Sequence, residues 1–573
     1  MKKESARPNK LNLLPGIIIV ILQWLLRYLL PALIPKAAAI GFLGGVACGL
    51  ALVVWWLFFS HAARIERWGA IVLIIIVMYG TSLLLDKSIA TANMGLMFII
   101  FSIPVISLSF VIWAVLTRNL STAVRRITMV VFIVVASGIW TLLRTNGMTG
   151  DGRHYLGWRW AETKEEILLT HDGNDAVLSL SGIVTADTIS EWTGFRGANR
   201  DGIVKGIKIN TDWSASPPVE IWRKPVGPGC SSFAVKGDRI YTQEQLGENE
   251  TVSCYSLLTG NLVWKHGDKA RFEESHAGPG PRSTPTIAGN DVYTLGATGI
   301  LNVLDAINGS VIWSRNASSD AGVKVPAWGF TSSPLITGNT VIVALAGKMA
   351  AYDITTGDPV WFGPDGGSGY SSPQLVFLNG EEQVLLMSSK GAQSVEPETG
   401  RKKWEYTWEI PDRILQPSSI EGNDLLLSGE NISICRVSVK READVYKIKK
   451  LWESSDYKVN FNDFIIHKGY AYAFDGPYLT CLNLKDGKRM WRGARYRGFQ
   501  ILLADQDLLL ILTEKGEVTL VSAVPEKFTE LATIRVLNAR TWSHPVLAGN
   551  ILVVRNHEEM VAYRLDVRKY VTD

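Results

Sequence analysis

The chain carries two patterns of apolar residues, and the change between them divides it. Up to about residue 145 the apolar positions run in unbroken blocks. Beyond about residue 190 they alternate with polar ones, as in Val292-Tyr293-Thr294-Leu295. Period-two alternation bounded by Gly, Asn and Asp reads as short β-strands. The stretch from Ser283 to Trp313 reads as strand, turn, strand, Asn308-Gly309 turn, and a strand carrying Trp313. A Gly four residues before a Trp recurs at Gly260 and Trp264, Gly357 and Trp361, Gly400 and Trp404, and Gly487 and Trp491. A fixed offset with a period in the forties marks a propeller or solenoid. The Gly suits the positive φ of a tight hairpin turn. The Trp ring can cover the gap between neighbouring four-stranded units.

Units start near Ser231, Ser283, Ser332, Ser371, Pro417, Phe461, Phe499 and Ser543, which makes eight. Seven fourth strands carry the Trp: Trp222, Trp264, Trp313, Trp361, Trp404, Trp452 and Trp491; the strand near Leu531–Val536 lacks one. The last unit, from His544 through Asp566, has only three strands, while 219–226, with Trp222, is a fourth-type strand with no unit before it. Pairing these two ends predicts an all-β eight-bladed β-propeller over 191–573 with no exposed sheet edge. Only the unit that starts near Pro417, with Arg436–Lys449, is extended in its hairpin.

The first 145 residues predict an all-α membrane anchor. Five apolar segments, about Leu11–Ile34, Ala37–Ser60, Gly69–Leu85, Met94–Leu116 and Ile127–Leu143, each suffice to cross a ~30 Å hydrocarbon core as a transmembrane helix. A cleaved signal peptide would have one shorter apolar region. Lys2, Lys3, Arg7, Lys10, Arg64, Arg67, Arg118, Arg125 and Arg126 flank one side, against Lys36 and Lys87 on the other. The N-terminus is therefore expected in the cytoplasm and everything after Arg144 outside it. Arg27, inside the first segment, lies within snorkelling reach of its outer end. No chain of acidic or His residues crosses these helices, which argues against a transporter or proton pump.

Residues 146–190 read as a linker. Gly147, Gly150 and Gly152 open it, and Thr163 with Glu166 forms a capping box before a short helix. Trp158 and Trp160 suit either a lipid interface or packing on the propeller. His171-Asp-Gly-Asn-Asp175 lacks the closing Glu of a calcium loop and reads as a solvated turn.

Composition adds exclusions. The 573 residues are 47% hydrophobic, and the excess sits in the anchor. A net charge of +4 gives no nucleic-acid signal. Five cysteines without a CxxC pair imply neither a zinc site nor a disulfide framework. Cys254 and Cys481 each stand six residues before a turn Gly, at core positions, and Cys48 lies in an apolar segment.

The links between units are polar and aromatic, and a ring of such residues around a channel mouth is the default ligand site. Arg282, Lys324, Trp328, Arg497 and His544 are the ligand-binding candidates and Asp463 the catalytic one; no metal site is expected. The Ser and Thr residues of the links read instead as strand starts whose hydroxyls satisfy backbone groups.

The repeat Ser-Ser-Pro, Gly-Asn, Val-Ile-Val, Ala-Ala-Tyr-Asp-Ile-Thr-Thr-Gly, Pro-Val-Trp within 332–361 resembles the pyrroloquinoline quinone (PQQ)-like β-propeller repeat. That repeat occurs in quinoprotein alcohol and glucose dehydrogenases and in the outer-membrane protein assembly factor BamB. The lead-in Trp192–Gly202, WTGFRGANRDG, is similar to that of other such propellers, and the resemblance spans about 191–567. Five spans before a propeller also resemble membrane-bound quinoprotein glucose dehydrogenase. The resemblance implies the fold directly and activity only through a site. A quinoprotein dehydrogenase implies PQQ and Ca²⁺, with Asp463 as base, Arg282 or Lys324 facing cofactor carboxylates and Trp328 as stacking floor. The compact units and the absence of Cys-Cys and CxxCH motifs favour a binding or scaffold module instead. The expectation is a bacterial inner-membrane protein, its propeller periplasmic, binding an envelope protein or small ligand on its polar face and no nucleic acid. The alternative is a PQQ-dependent sugar or alcohol dehydrogenase passing electrons to membrane quinone.

Overall fold

A computed structural model describes residues 11–34, 37–150, 152–171, 191–408, 414–429, 433–443, 445–459 and 461–567. Two compact units are present: Met1–Ala161 with Glu274–His276, and Glu162–Glu273 with Ala277–Asp573. Residues 172–175 of the solvated-turn reading lie outside the described residues, as do Lys2, Lys3, Arg7, Lys10 and Lys36.

In the first unit, among the described residues, five helices are long and apolar enough to cross a membrane: Leu14–Leu33, Ile40–Phe59, Arg64–Ser82, Met97–Leu116 and Thr122–Leu142. The third and fifth start about five residues earlier than hydropathy indicates. Their first turns are charged, and the charges answer one another. Glu66 is buried, pairs with Arg125, and lies 3.7 Å from Arg126. Arg67 donates to the carbonyls of Ala62 (2.7 Å) and Leu57 (3.0 Å), between the second and third helices. Arg27 rests its guanidinium over the Phe101 ring, 4.8 Å from the centroid, a cation–π contact with the fourth helix. Trp56 of the second helix packs edge to face on Phe110 and Trp113 of the fourth.

The second unit opens with the helix Lys164–His171. Thr163 Oγ1 accepts the Glu166 amide (3.0 Å) and Glu166 Oε2 accepts the Thr163 amide (2.6 Å), a reciprocal cap. Eight four-stranded sheets follow, one of them with a short fifth strand, Ile203–Val204. Blade 1 comprises Ala234–Lys236, Arg239–Leu246, Asn249–Ser256 and Leu262–Lys269. Blades 2 to 8 have inner strands Thr286–Ala288, Leu335–Thr337, Gln374–Leu378, Ser418–Ser419, Ile465–His467, Gly498–Leu503 and Val546–Ala548. Blade 8 takes its outer strand, Val219–Pro225, from the start of the unit. That strand pairs antiparallel with Glu559–Arg564 and sets Trp222 opposite Ala562.

The Trp and the turn Gly meet across blades, not within one. A Cβ on Gly260 would lie 2.6 Å from Trp222, on Gly309 2.4 Å from Trp264, on Gly357 2.6 Å from Trp313, and on Gly400 2.4 Å from Trp361. Each ring therefore lies on the turn of the next blade, where no side chain fits. Its indole N–H donates to a carbonyl of that turn: Trp222 to Leu257 (2.7 Å), Trp264 to Ala306 (3.1 Å), Trp313 to Ile354 (3.0 Å) and Trp361 to Pro397 (2.9 Å). Trp404 departs from this and donates to Gln383 Oε1 (2.8 Å) in its own blade. Its neighbour, blade 5, replaces the short Gly turn with the ten-residue strands Ser433–Glu442 and Val445–Ser454. In blade 7, Ala532 stands opposite Leu520 where the Trp would be.

This dovetail separates two effects of a Gly substitution. Gly338 has a positive φ (54°) and open space around it; Gly357 has a positive φ (74°) with the Trp313 ring against it. Gly338→Ala should cost about 1 kcal/mol of backbone strain, and Gly357→Ala about 1–3 kcal/mol more from overpacking. Thermal unfolding of the detergent-solubilised chain, followed by near-UV circular dichroism, distinguishes the two.

Candidate functional site at the propeller axis

Each link carries two adjacent residues just before the next inner strand, and their side chains do different work. The first serves its own blade. Ser231 Oγ accepts the Gln243 amide (3.1 Å) and Ser332 Oγ the Ala344 amide (2.8 Å), while Ser283 Oγ donates to Leu295 O (2.5 Å). The second joins its blade to its neighbour. The amide of Ser232 donates to Thr284 Oγ1 (3.1 Å), that of Thr284 to Ser333 Oγ (3.0 Å), and that of Ser333 to Ser372 Oγ (3.0 Å). The amide of Ser372 donates to Gln416 Oε1 (2.8 Å), and that of Gln416 to Asp463 Oδ1 (2.8 Å). These amides stand two residues before the inner strands and outside their ladders, so the belt satisfies what burial would leave orphaned. Past blade 6 the linkage changes. Gln500 Nε2 donates to Asp463 O (3.4 Å), the Phe499 ring meets His544 at 4.2 Å, and Ser232 Oγ donates to His544 O (2.7 Å).

The axial space within this belt is crossed by the lead-in. Trp192 exchanges backbone hydrogen bonds with Val235 of blade 1 (3.0 and 2.7 Å), and Thr193 O accepts the Ile287 amide of blade 2 (2.7 Å). Arg200 donates to Ser333 O (2.8 Å) and Pro334 O (3.0 Å) of blade 3. Arg196 donates to Phe464 O of blade 6 (2.5 Å). Gly202 O accepts the Leu502 amide (2.8 Å), and Ile203–Val204 runs parallel to the inner strand of blade 7. The Phe195 ring meets His544 of blade 8 edge-on at 5.1 Å. One short segment thus touches the inner strands or links of six blades. Gly202 is needed at its crossing: it has a φ of 74°, and a Cβ there would lie 2.9 Å from Ile465.

Two buried guanidiniums give this axis its electrostatics. Arg196 Nη1 lies 3.8 Å from Asp463 Oδ2. Burial pushes the Asp463 carboxyl upward; Arg196 and the Gln416 amide oppose that. Burial, and then the charge of Arg196, depress Arg200 to about 9. His544, between two phenylalanine rings, is held at about 3 by burial and by Arg196, so at neutral pH it is an uncharged aromatic.

The structure brings Asp463 and His544 together around Arg196. The other candidates belong to separate links. Arg282 donates to Gly278 O (2.7 Å), Gly280 O (2.9 Å) and Pro279 O (3.3 Å), with its guanidinium 5.3 Å from the Phe272 centroid. Trp328 packs on Tyr370 at 4.9 Å. Lys324 is exposed, and Arg497 adopts a positive φ of 43°. Sequence reasoning missed Phe195, Arg196 and Arg200 as site residues. The available signal was two arginines in a Gly-rich stretch with no strand alternation, a pattern that a solvated linker does not need.

Fold and axis together define an eight-bladed repeat propeller with a belted, occupied centre. A family profile described as outer membrane protein assembly factor BamB matches residues 213–374 and 248–524, together more than half of the chain; the chain belongs to this family. It is 22% identical over 315 residues to outer membrane protein assembly factor BamB of Burkholderia pseudomallei, covering 47% of this chain and 81% of the relative. The crystal structure of BamB from Moraxella catarrhalis matches with a TM-score of 0.45 and 13% identity, over 61% of this chain and 99% of that one. Quinohemoprotein alcohol dehydrogenase from Comamonas testosteroni has a TM-score of 0.50 and 12% identity, over 67% and 82% of the two chains. At that identity the likeness concerns the fold.

Two stability measurements test the axis. An unfolded chain takes a proton on His544 as the pH falls through about 6.5, whereas the folded chain waits until about 3. Stability therefore drops as pH falls through that window, and His544→Phe should flatten the decline in melting temperature. Arg196→Met should cost about 3–5 kcal/mol at pH 7 by stranding a buried carboxylate. Adding Asp463→Ser, the residue other blades use in the belt, should recover most of that loss.

Proposed function

We propose that the chain is a membrane-anchored envelope scaffold. In this reading the five helices cross the bacterial inner membrane and the propeller stands on the periplasmic side, docking an envelope protein on the face that carries the links. Family membership and the name of the relative as an assembly factor support the scaffold role. The basic residues at the starts of the third and fifth helices and in the loop before the fifth, Arg64, Arg67, Arg118, Arg125 and Arg126, support the orientation.

The observation that carries the reading is the occupied axis. PQQ in a propeller centre needs a stacking floor, cations for its carboxylates, a free carboxylate base and a calcium ion with about 6–8 oxygen ligands. Here the lead-in takes the axial space, and the Asp463 carboxylate is committed to the belt and to Arg196. Among the described residues no group of three or more His, Cys, Asp or Glu is placed to hold a metal ion. These residues do not fit the quinone–calcium pair. Asp463 then serves closure of the ring, and Lys324, Trp328, Arg282 and Arg497 serve a docking face.

Benzoylphenylalanine incorporated at Lys324 should give one discrete protein adduct when intact cells are irradiated. Alkaline phosphatase fused after Val567 should be active, and a cytoplasm-dependent fluorescent protein there should be dark. Saturable PQQ binding by the detergent-purified full chain with Ca²⁺, coupled to glucose- or alcohol-dependent dye reduction, would overturn the scaffold in favour of a dehydrogenase.

A further inference from the structure

The fifth apolar helix ends at Leu142, and the chain turns at once into a hairpin, Leu143–Met148 paired with His154–Trp158. The pairing sets Trp158 opposite Leu143 and Gly157 opposite Arg144. The second hairpin strand therefore returns to the end of the helix, one residue beyond the span. Four contacts fix it there. The Thr145 amide donates to Ser88 Oγ (3.0 Å), the Arg159 amide to Leu142 O (2.9 Å), and Arg159 Nη1 to Leu84 O (3.4 Å). Arg159 Nε lies 3.5 Å from Asp86. Leu84, Asp86 and Ser88 belong to the connection between the third and fourth helices, so the hairpin is bolted to the level at which three of the spans end or begin. His154 meets Phe101 of the fourth helix edge-on at 5.8 Å.

Large apolar side chains of the second hairpin strand and of the residues just after it are exposed. Tyr155 is 48% exposed, Leu156 47%, Trp158 48% and Trp160 66%. The Trp158 and Trp160 rings stack on each other at 5.0 Å and 15°, and Arg153 and Arg159 flank them on the exposed surface. In water such a cluster is an unburied apolar patch. At the level where apolar helices end, it has the composition of an interfacial belt, with amphipathic rings at the headgroups and cations for lipid phosphates.

We propose that the Tyr155–Trp160 edge of this hairpin is a lipid-binding surface, seated in the headgroup region of the bilayer that the five helices cross. Its ligand is a phospholipid, taken by ring contact with the upper acyl chain and by contact of the Arg153 guanidinium with the phosphate. The inference rests on the anchoring reading above, and its test keeps the two apart.

The full chain is reconstituted in nanodiscs of phosphatidylethanolamine and phosphatidylglycerol, with benzoylphenylalanine incorporated in separate samples at Trp160, at Val131 in the fifth helix and at Phe377 on the propeller. Val131 is 52% exposed and Phe377 68%. After irradiation, intact-mass spectrometry should find phospholipid adducts at positions 160 and 131 and none at 377. Lipid at 131 without lipid at 160, or an adduct at 160 to a protein segment instead, overturns the lipid-binding surface and leaves the anchor standing. No lipid at 131 overturns both.

Discussion

A blade of four strands has two apolar faces and can bury neither alone, so the whole propeller depends on how one blade meets the next. Here that meeting is a Trp ring laid on the bare backbone of a glycine turn, with the indole N–H bonded to the carbonyl beside it. The contact combines a large buried ring, a satisfied donor and a steric requirement for Gly in one place. Its repetition sets the spacing of the chain, and its last use, Trp222 against the turn at Gly260, joins the strand from the start of the unit to blade 1.

Inside that ring a second constraint operates. Inner strands in a propeller converge, and the amides just before them lie outside the ladders. Ser and Thr hydroxyls, then Gln416 and Asp463, answer them from the neighbouring blade. From blade 6 onward the belt gives way to an amide, a ring contact and a single hydroxyl, and there the lead-in supplies what is missing. Arg196 brings charge to Asp463 and Phe195 brings a ring to His544. In this chain the centre holds its own blades together.

Much of this was legible in the sequence because the dovetail is local and periodic. The Gly-to-Trp offset located the turns and outer strands, and Trp222 without a preceding unit located the outer strand of blade 8. The serines of the links were readable as backbone partners because their hydroxyls have few other uses there. The blurred helix starts at Arg64 and Thr122 have a physical reason: hydropathy charges each ionised residue separately, while Glu66 and Arg125 cancel one another. Asp463 and His544 were picked out by residue type and link position. Their roles were not legible, because the partner that defines both, Arg196, lies more than two hundred and fifty residues away in sequence. No periodic signal marks a segment that crosses an axis once.

The most direct measurement is hydrogen–deuterium exchange of the folded full chain, read on the peptide containing Trp192–Val204. If this segment fills the axis and its backbone is bonded to inner strands, its protected amides exchange only as slowly as the blade cores do. Exchange within seconds, at the rate of an exposed loop, would mean that the centre is open and that the blades are held together without it.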